Sequence, residues 1–520
     1  MDPLAQSRRR HRPGPFRRGV GSYAIGMAVG TLVTGLLVPF VVGEGAKEPG
    51  GTSSAEVMAA GGETASAQNP NGTSRTAVTV APSDTGPAGT GSSAGPIDNP
   101  SSSAVGSATH ETGELGASDR GVSATAVRVG FLMTDIAGAG RILGEAVAGV
   151  SPEQQAASFQ TWIDEINRTG GLNGRQIEPV YRGFDVLSQD DMRAKCLALT
   201  EDEKVFAVIA TAGFAGPPVL CITEEHRTPL VTSATTGTPT EYFDRSKGLL
   251  FTGFPHGNRQ MANWVAELDR LGVLKDKKIG ILSREGSDDL VVRNGLLPAL
   301  TSFGYKLTYQ AKMSEDLSTA AGQIPVEVRQ MQTRGVNAVL LAANGLYAAQ
   351  FVDNAGRQRW SPSWAASDFG SMYSDSTAQT FPNNFEGAVL ITSAMSTSER
   401  DPDATQSPEP EPALARRCRE IYEKGTGESF EGRGNEYWLA MQNCTTVELF
   451  AAGARAAGGD LTRDAFSTGM QSLGEVPMAF WGGGSFTTGK FDAADVVRPS
   501  HWFADCKCWK VIDRFRPSRF

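Results

Sequence analysis

From about residue 126 the chain alternates short apolar segments with longer amphipathic ones. The first apolar segment, Val127–Met133, contains β-branched residues and is typical of a buried strand. Ser151 and Pro152 then mark the start of a helix, with serine as N-cap and proline in the first turn, and the pair Gly170-Gly171 ends it. The alternation continues to about residue 232 and resumes in a second series from residue 257.

Each series combines short strands with longer helices. In the first, we predict further strands at 177–181, 205–210 and 229–232, and helices at 188–202 and 216–227. In the second, we predict strands at 278–282, 305–309, 338–342 and 363–366, and helices at 258–272, 288–303, 320–334 and 346–357. Strands that alternate with helices of this length indicate mostly parallel sheets flanked by helices. The sequence therefore predicts an α/β protein with two lobes.

The segment before these series predicts export. Residues 1–18 contain six arginines against one aspartate, and residues 19–43 carry no charge. As a helix, that run would be roughly 37 Å long, enough to span a bilayer. The positive-inside rule then places the globular part outside the cytoplasm. We predict an uncleaved signal anchor; a signal peptide cleaved after Gly43, which would release the protein, remains the alternative.

Residues 44–126 are dominated by Gly, Ser, Ala, Thr and Pro and contain no Phe, Trp or Tyr. Such a composition cannot bury enough apolar area to offset the entropy of ordering. We therefore predict a disordered tether between the membrane and the globular part.

The charge distribution excludes one class of partner. The net charge is −9, and because residues 1–18 carry +5, the rest of the chain carries −14. A body this acidic is not suited to bind nucleic acid.

The globular part resembles a known family. The segment NRTGGLNGRQIEPVYRGFD at 167–185 is similar to the N-terminal signature of type I periplasmic binding proteins, in particular the branched-chain amino-acid receptors of ABC transporters. VIATAGFAGPPV at 208–219, TPLVTSATTGTP at 228–239 and FEGAVLITSA at 385–394 follow in the expected order. The resemblance covers about residues 127–515. It implies lobe 1 from 127–254 plus 390–480, lobe 2 from 255–389 plus 490–515, and three crossovers near 251–257, 386–396 and 479–497.

The resemblance also implies a ligand cleft between the lobes, and open α/β sheets independently place ligands beyond the carboxyl ends of their strands. We expect glycines after a lobe 1 strand to let backbone N–H groups reach an anion at the start of helix 216–227. We expect an acidic residue at the end of a lobe 2 strand, Asp368, to meet a ligand ammonium. The predicted ligand contacts are Gly213, Phe214, Ala234, Thr235, Thr236, Thr238, Asn344, Tyr347 and Asp368.

Structural roles compete with these predictions. The three threonines could be turn or cap residues, Asp368 could cap a following turn, and Phe214 could belong to the core. The sequence also departs from the family: residues 283–288 lack the usual aromatic after the first strand of lobe 2, and the loop 134–150 is long and lacks an aromatic residue.

Enzyme motifs are missing from the sequence. GxxxxGK[ST] and HExxH do not occur, and the five histidines show no spacing typical of metal ligands. The glycines at 138, 140 and 144 miss GxGxxG by one residue. We therefore predict neither catalysis, nor a cofactor, nor a bound metal.

The six cysteines favour disulfides, because export places them where such bonds persist. Cys196 and Cys221 fall in predicted helices that could lie side by side, so we expect them to pair; two buried free thiols are the alternative. We pair Cys418 with Cys444, which leaves Cys506 with Cys508, although exchanged pairings such as Cys418 with Cys506 stay open.

Taken with the resemblance, these features predict an extracytoplasmic receptor that captures a small polar solute, such as an amino acid or related compound, for an ABC permease. The alternative is a membrane-tethered sensor of the same fold that signals to a membrane partner. Because only about 18 residues precede the apolar segment, with no room for an output domain, we prefer the receptor.

Overall fold

The structure, a computed structural model, describes residues 115–135, 150–233, 238–395, 410–430 and 435–520. The predictions for 1–18, 19–43 and most of 44–126 lie outside these ranges, as do those for Ala234, Thr235 and Thr236. Within the described ranges, no helix combines the length and apolarity that crossing a membrane requires.

Lobe 1 is built on a five-stranded parallel sheet of order β2-β1-β3-β4-β5. Its strands are β1 Ala126–Asp135, β2 Gln176–Asp185, β3 Ala207–Ala210, β4 Leu230–Thr232 and β5 Leu250–Thr252. The helices between them are α1 Pro152–Arg168, α2 Gln189–Leu197, α3 Pro217–Leu220 and α4 Thr240–Ser246. As predicted, Ser151 caps α1: its hydroxyl accepts from the Gln154 amide, and the Gln154 side chain accepts from the Ser151 amide in return.

Lobe 2 begins with five parallel strands in the order β7-β6-β8-β9-β10. These are β6 Ile279–Arg284, β7 Leu307–Met313, β8 Ala338–Ala342, β9 Ser363–Ser367 and β10 Val389–Thr392. The helices are α5 Gly257–Arg270, α6 Ser287–Val291, α7 Leu297–Ser302, α8 Leu317–Thr333, α9 Gly345–Arg357 and α10 Asp375–Thr380. The strand predicted at 305–309 is wrong in its bounds: β7 lies at the sheet edge and alternates buried and exposed side chains, so it has no continuous apolar run.

The chain then returns to lobe 1 and finishes in lobe 2. The returning elements are α11 Ala413–Thr426, α12 Asn435–Ala456, α13 Arg463–Gln471, β11 Gly474–Val476 and β12 Gly484–Phe486. The final strands, β13 Val496–Phe503, β14 Cys508–Val511 and β15 Arg516–Pro517, extend the sheet of lobe 2 with antiparallel pairs. The two-lobed α/β fold predicted from the sequence is confirmed.

The three passages between the lobes pack against each other. Phe254 in the first passage lies 5.0 Å from Trp481 in the third, measured between ring centroids. A Cβ atom at Gly253 would overlap the Trp481 ring, so only glycine fits there. Ala394 in the second passage forms a β-bridge with Trp481. The hinge is therefore a packed unit in which Trp481 contacts the first passage through its ring and the second through its backbone.

All three disulfides form as predicted. Cys196 bonds Cys221, and Cys418 bonds Cys444, with all four side chains fully buried. Cys506 bonds Cys508 at the turn between β13 and β14.

The predicted end of the tether at residue 126 is wrong. Residues before β1 already belong to lobe 1, because the buried guanidinium of Arg175 donates to the carbonyls of Gly116 (2.9 Å) and Ser123 (2.7 Å). Asp119 also accepts from the Arg463 amide at 2.9 Å. Composition could not reveal this, since the contacts are made mostly by backbone groups of a small-residue segment.

Candidate functional site

A cavity of about 250 Å³ lies between the lobes. Its lobe 1 wall consists of Thr134, Val150, Gln155, Val186, Leu187, Gln189, Met192, Ala212, Gly213, Ala215, Trp438 and Leu439. Its lobe 2 wall consists of Arg284, Asn344, Gly345, Leu346, Gly370, Ser371, Ser374, Ser376, Thr377 and Thr380. Many of these residues follow the carboxyl ends of strands in the two sheets, which is where open α/β sheets bind ligands.

Two other grooves are larger but less suited to a small solute. One of about 860 Å³ is lined by α1, α11 and the segment that follows α11, all within lobe 1, with charges of both signs. The other, of about 550 Å³, is lined by α4, α13, the start of α5 and residues 489–492. Neither lies at the carboxyl ends of strands from both sheets, so the interlobe cavity is the better candidate site.

On lobe 1, the turn after β3 contributes its backbone and small side chains. Gly213 lines the cavity with φ of +98°, a conformation that favours glycine. Phe214 points away from the cavity: it is fully buried and packs edge-to-face on Phe184 at 5.3 Å. The helix that follows starts with Pro217 and Pro218, which have no N–H, so its first turn cannot supply the amide donors expected for an anion.

On lobe 2, the start of α9 reaches the cavity. The Asn344 side chain caps the helix by accepting from the Tyr347 amide at 3.2 Å. Tyr347 itself is buried beside the cavity: its hydroxyl donates to the Glu315 carbonyl at 2.6 Å, and burial raises the pKa of its phenol. Thr238, in lobe 1, also lies outside the cavity lining, and its carbonyl accepts from the Gly257 amide at 2.8 Å.

Asp368 faces the hinge rather than the cavity. Its carboxylate accepts from the hydroxyl of Thr392, and from the amide (2.7 Å) and hydroxyl (2.6 Å) of Ser393, where the chain leaves β10 for lobe 1. Burial raises the pKa of Asp368 to about 6, against the opposing effects of these hydrogen bonds and of Arg498. These donors occupy the carboxylate, so the predicted pairing with a ligand ammonium has no support in this arrangement.

The sequence prediction missed Arg284, which ends β6 and lines the cavity. Its Nε donates to Asp288 at 2.6 Å, and its guanidinium lies 5.3 Å from the centre of the Tyr347 ring. Burial acts to lower the pKa of Arg284, but the Asp288 carboxylate outweighs it and keeps the pKa above its usual value. The strand-end position of Arg284 was the signal that could have identified it.

The chain combines an interlobe cavity, two sheets with mostly parallel strands and three passages between the lobes. Its sequence also matches a known family. The sequence model of periplasmic binding proteins matches residues 128–497. The chain belongs to the periplasmic binding protein family. No curated protein sequence matches it. The family is one of solute-binding receptors.

Solved structures share the fold at low identity. A fatty acid ABC transporter substrate-binding protein from Thermomonospora curvata is 18% identical, with a TM-score of 0.56 over 77% of this chain and 95% of that one. A solute-binding protein from Rhodopseudomonas palustris in complex with 3,4-dihydroxybenzoic acid is 13% identical, with a TM-score of 0.54 over 76% and 98%. A branched-chain amino acid ABC transporter protein from Thermus thermophilus with bound valine is 13% identical, with a TM-score of 0.57 over 76% and 98%.

Proposed function

We propose that this periplasmic binding protein is an extracytoplasmic receptor that captures a small polar solute, an amino acid or related compound, in its interlobe cavity and presents it to an ABC permease. The observation that carries the proposal is the cavity itself, which is lined from both lobes at strand ends. Its volume of about 250 Å³ lies just below the range typical of sites for drug-sized ligands, which suits a small solute. Similar structures bind valine and dihydroxybenzoic acid, so the fold accommodates small acids.

The proposal assigns the two lobes, 127–254 plus 390–480 and 255–389 plus 490–515, as bodies that close on the ligand. Gly213 and Asn344 are proposed as ligand contacts, one from each lobe, since both line the cavity. The charge-free run 19–43 supports an anchor in the membrane, with the polar segment after it as a tether near the permease.

The cavity assignment is tested with two matched substitutions. Leu187 and Val326 are both exposed apolar residues, at 44% and 56%, but only Leu187 lines the cavity. We expect Leu187→Asp to weaken binding of a solute found by thermal-shift screening by about tenfold or more, because it removes apolar contact and adds a desolvated charge. Val326→Asp should leave affinity unchanged. Equal affinities for Leu187→Asp and the native protein in calorimetry would refute the site.

The partner is tested separately. Affinity purification of the full chain from membranes, with and without the solute, should recover ABC permease subunits. Recovery of a signalling kinase in their place would support the tethered sensor.

A further inference from the structure

The described lining of the cavity carries a positive charge and no negative charge. Among the described residues that line it, Arg284 alone is charged, and no carboxylate is present. The predicted acidic partner, Asp368, is committed to the hinge. An ammonium in this cavity would meet no opposite charge among these described lining residues, so they would not offset its lost hydration.

Arg284 retains donors for a ligand. A guanidinium has five N–H donors, and Asp288 takes the one on Nε. A further side-chain hydrogen bond links Arg284 to Tyr347, and the Arg284 side chain is 19% exposed, so N–H donors remain for a ligand. Asp288 does not line the cavity and is 1% exposed, so it holds the guanidinium from behind. The N–H donors that remain suit the oxygens of a carboxylate.

Backbone amides in the cavity wall also favour a negatively charged ligand. The amides of Gly345 and Leu346 open the 13-residue helix α9 at the cavity wall, and the first amides of a helix have no acceptor within it. The opposite wall offers a neutral acceptor: the Nε2 of Gln155 donates to the carbonyls of Thr134 (2.7 Å) and Val150 (2.9 Å), whereas its Oε1 has no partner among the described residues. An amide oxygen of this kind suits a ligand hydroxyl.

The rest of the wall is apolar enough to hold a hydrocarbon body. Val186, Leu187 and Met192 contribute from one lobe, and Trp438 and Leu439 come from α12. These groups lie in the same 250 Å³ cavity as Arg284, so an anionic head and an apolar body fit together.

We propose that the cavity selects a small organic carboxylate with an apolar body and no ammonium group, anchored by Arg284. This inference rests on the proposed receptor function and narrows its ligand to one chemical class.

The test uses the full chain and two sets of matched probes. Isocaproate, leucine and isoamylamine share one body and differ in head group, as do hydrocinnamate, phenylalanine and phenethylamine. We expect at least one of the two acids to raise the melting temperature and to bind about tenfold or more tightly than its amino acid in calorimetry, and both amines to have no effect. Tighter binding of the amino acids, or no binding of either acid, would overturn the inference.

Variants then assign the anchor. Arg284→Gln should weaken acid binding by about 10- to 100-fold. Arg293→Gln, which alters a similar pair with Asp289 four residues away but lies outside the cavity lining, should not. Because Arg284→Gln leaves the buried Asp288 without its cation, the double variant with Asp288→Asn keeps the test valid if the single variant unfolds. Unchanged acid affinity in a folded variant would overturn the role of Arg284.

If an amino acid binds instead, and Leu187→Asp abolishes that binding, the receptor function survives and the carboxylate inference fails.

Discussion

At the residue scale, Asp368 joins the end of β9 to the passage that leaves β10. Three hydrogen bonds from Thr392 and Ser393 hold the carboxylate, yet burial raises its pKa from 3.8 to about 6. The folded protein therefore binds this proton more tightly than the unfolded chain does. Between about pH 4 and pH 6 the contribution of Asp368 to the free energy of unfolding decreases as pH rises, by about 3 kcal/mol in total.

Asp368→Asn removes this titration. We expect the variant to show a flatter pH dependence of the free energy of unfolding between pH 4 and pH 6.5, and equal or greater stability than the native protein at pH 7. Urea unfolding at several pH values measures both. Asp316→Asn is the control, because hydrogen bonds from Ser318 and Thr319 lower the pKa of Asp316 to about 2, below this window. A native curve that rises with pH across the window, and is unchanged by Asp368→Asn, would contradict the assignment.

The site residues show what the strand-end rule can and cannot predict. It places a residue at the correct edge of a sheet, and it succeeded in bringing Gly213 and Asn344 to one cavity. It does not give the direction of a side chain, which is why Phe214 lies in the core and Asp368 in the hinge. The same rule, applied to Arg284 at the end of β6, would have found the charged group of the cavity.

At the scale of elements, two α-helices of lobe 1 are shorter than their apolar patterns predict. The helix predicted at 216–227 is α3 followed by π-helical turns over Cys221–Glu225, and α2 likewise continues as π-helical turns over Ala198–Asp202. Residue periodicity does not distinguish these turns from an α-helix, since the change in hydrogen bonding is local. The pairing of Cys196 with Cys221 was nevertheless predictable, because it depends only on the two helices lying side by side.

The disulfides should differ in their effect on stability. Cys196–Cys221 and Cys418–Cys444 close loops of 25 and 26 residues, whereas Cys506–Cys508 spans two. In the chain-entropy model a loop of about 25 residues contributes about 3–4 kcal/mol, and a much shorter loop contributes less. We expect Cys196→Ala/Cys221→Ala to lower the free energy of unfolding by that amount, and Cys506→Ala/Cys508→Ala by about 1–2 kcal/mol. Denaturant titration of both double variants measures the difference; equal losses would show that loop length does not govern these bonds here.

At the scale of the whole molecule, the hinge limits how the lobes can move. Phe254 packs on Tyr373 at 5.3 Å and on Trp481 at 5.0 Å, so rings from the first passage, lobe 2 and the third passage share one cluster. We expect the proposed closure to rotate the lobes about this cluster without separating its rings. The order of the family segments predicted three passages, but the cluster joins residues far apart in the sequence, and no local pattern indicates such contacts.

The boundary of the globular part gives a test at the same scale. Deleting residues 44–113 removes only sequence that composition predicts to be disordered, and should leave the melting temperature unchanged. Extending the deletion to 44–123 also removes the carbonyls of Gly116 and Ser123 that hold the buried Arg175. Because hydrogen bonds to a buried charge are worth about 1.5–3 kcal/mol each, we expect the longer deletion to cost about 3 kcal/mol or more and to lower the melting temperature by several degrees. Arg175→Met should recover part of this loss in the longer deletion but destabilise the shorter one, since it removes a charge that lacks these two acceptors in the first case and one that is hydrogen-bonded to them in the second. Identical melting curves for the two deletions would mean that the fold starts at β1 after all.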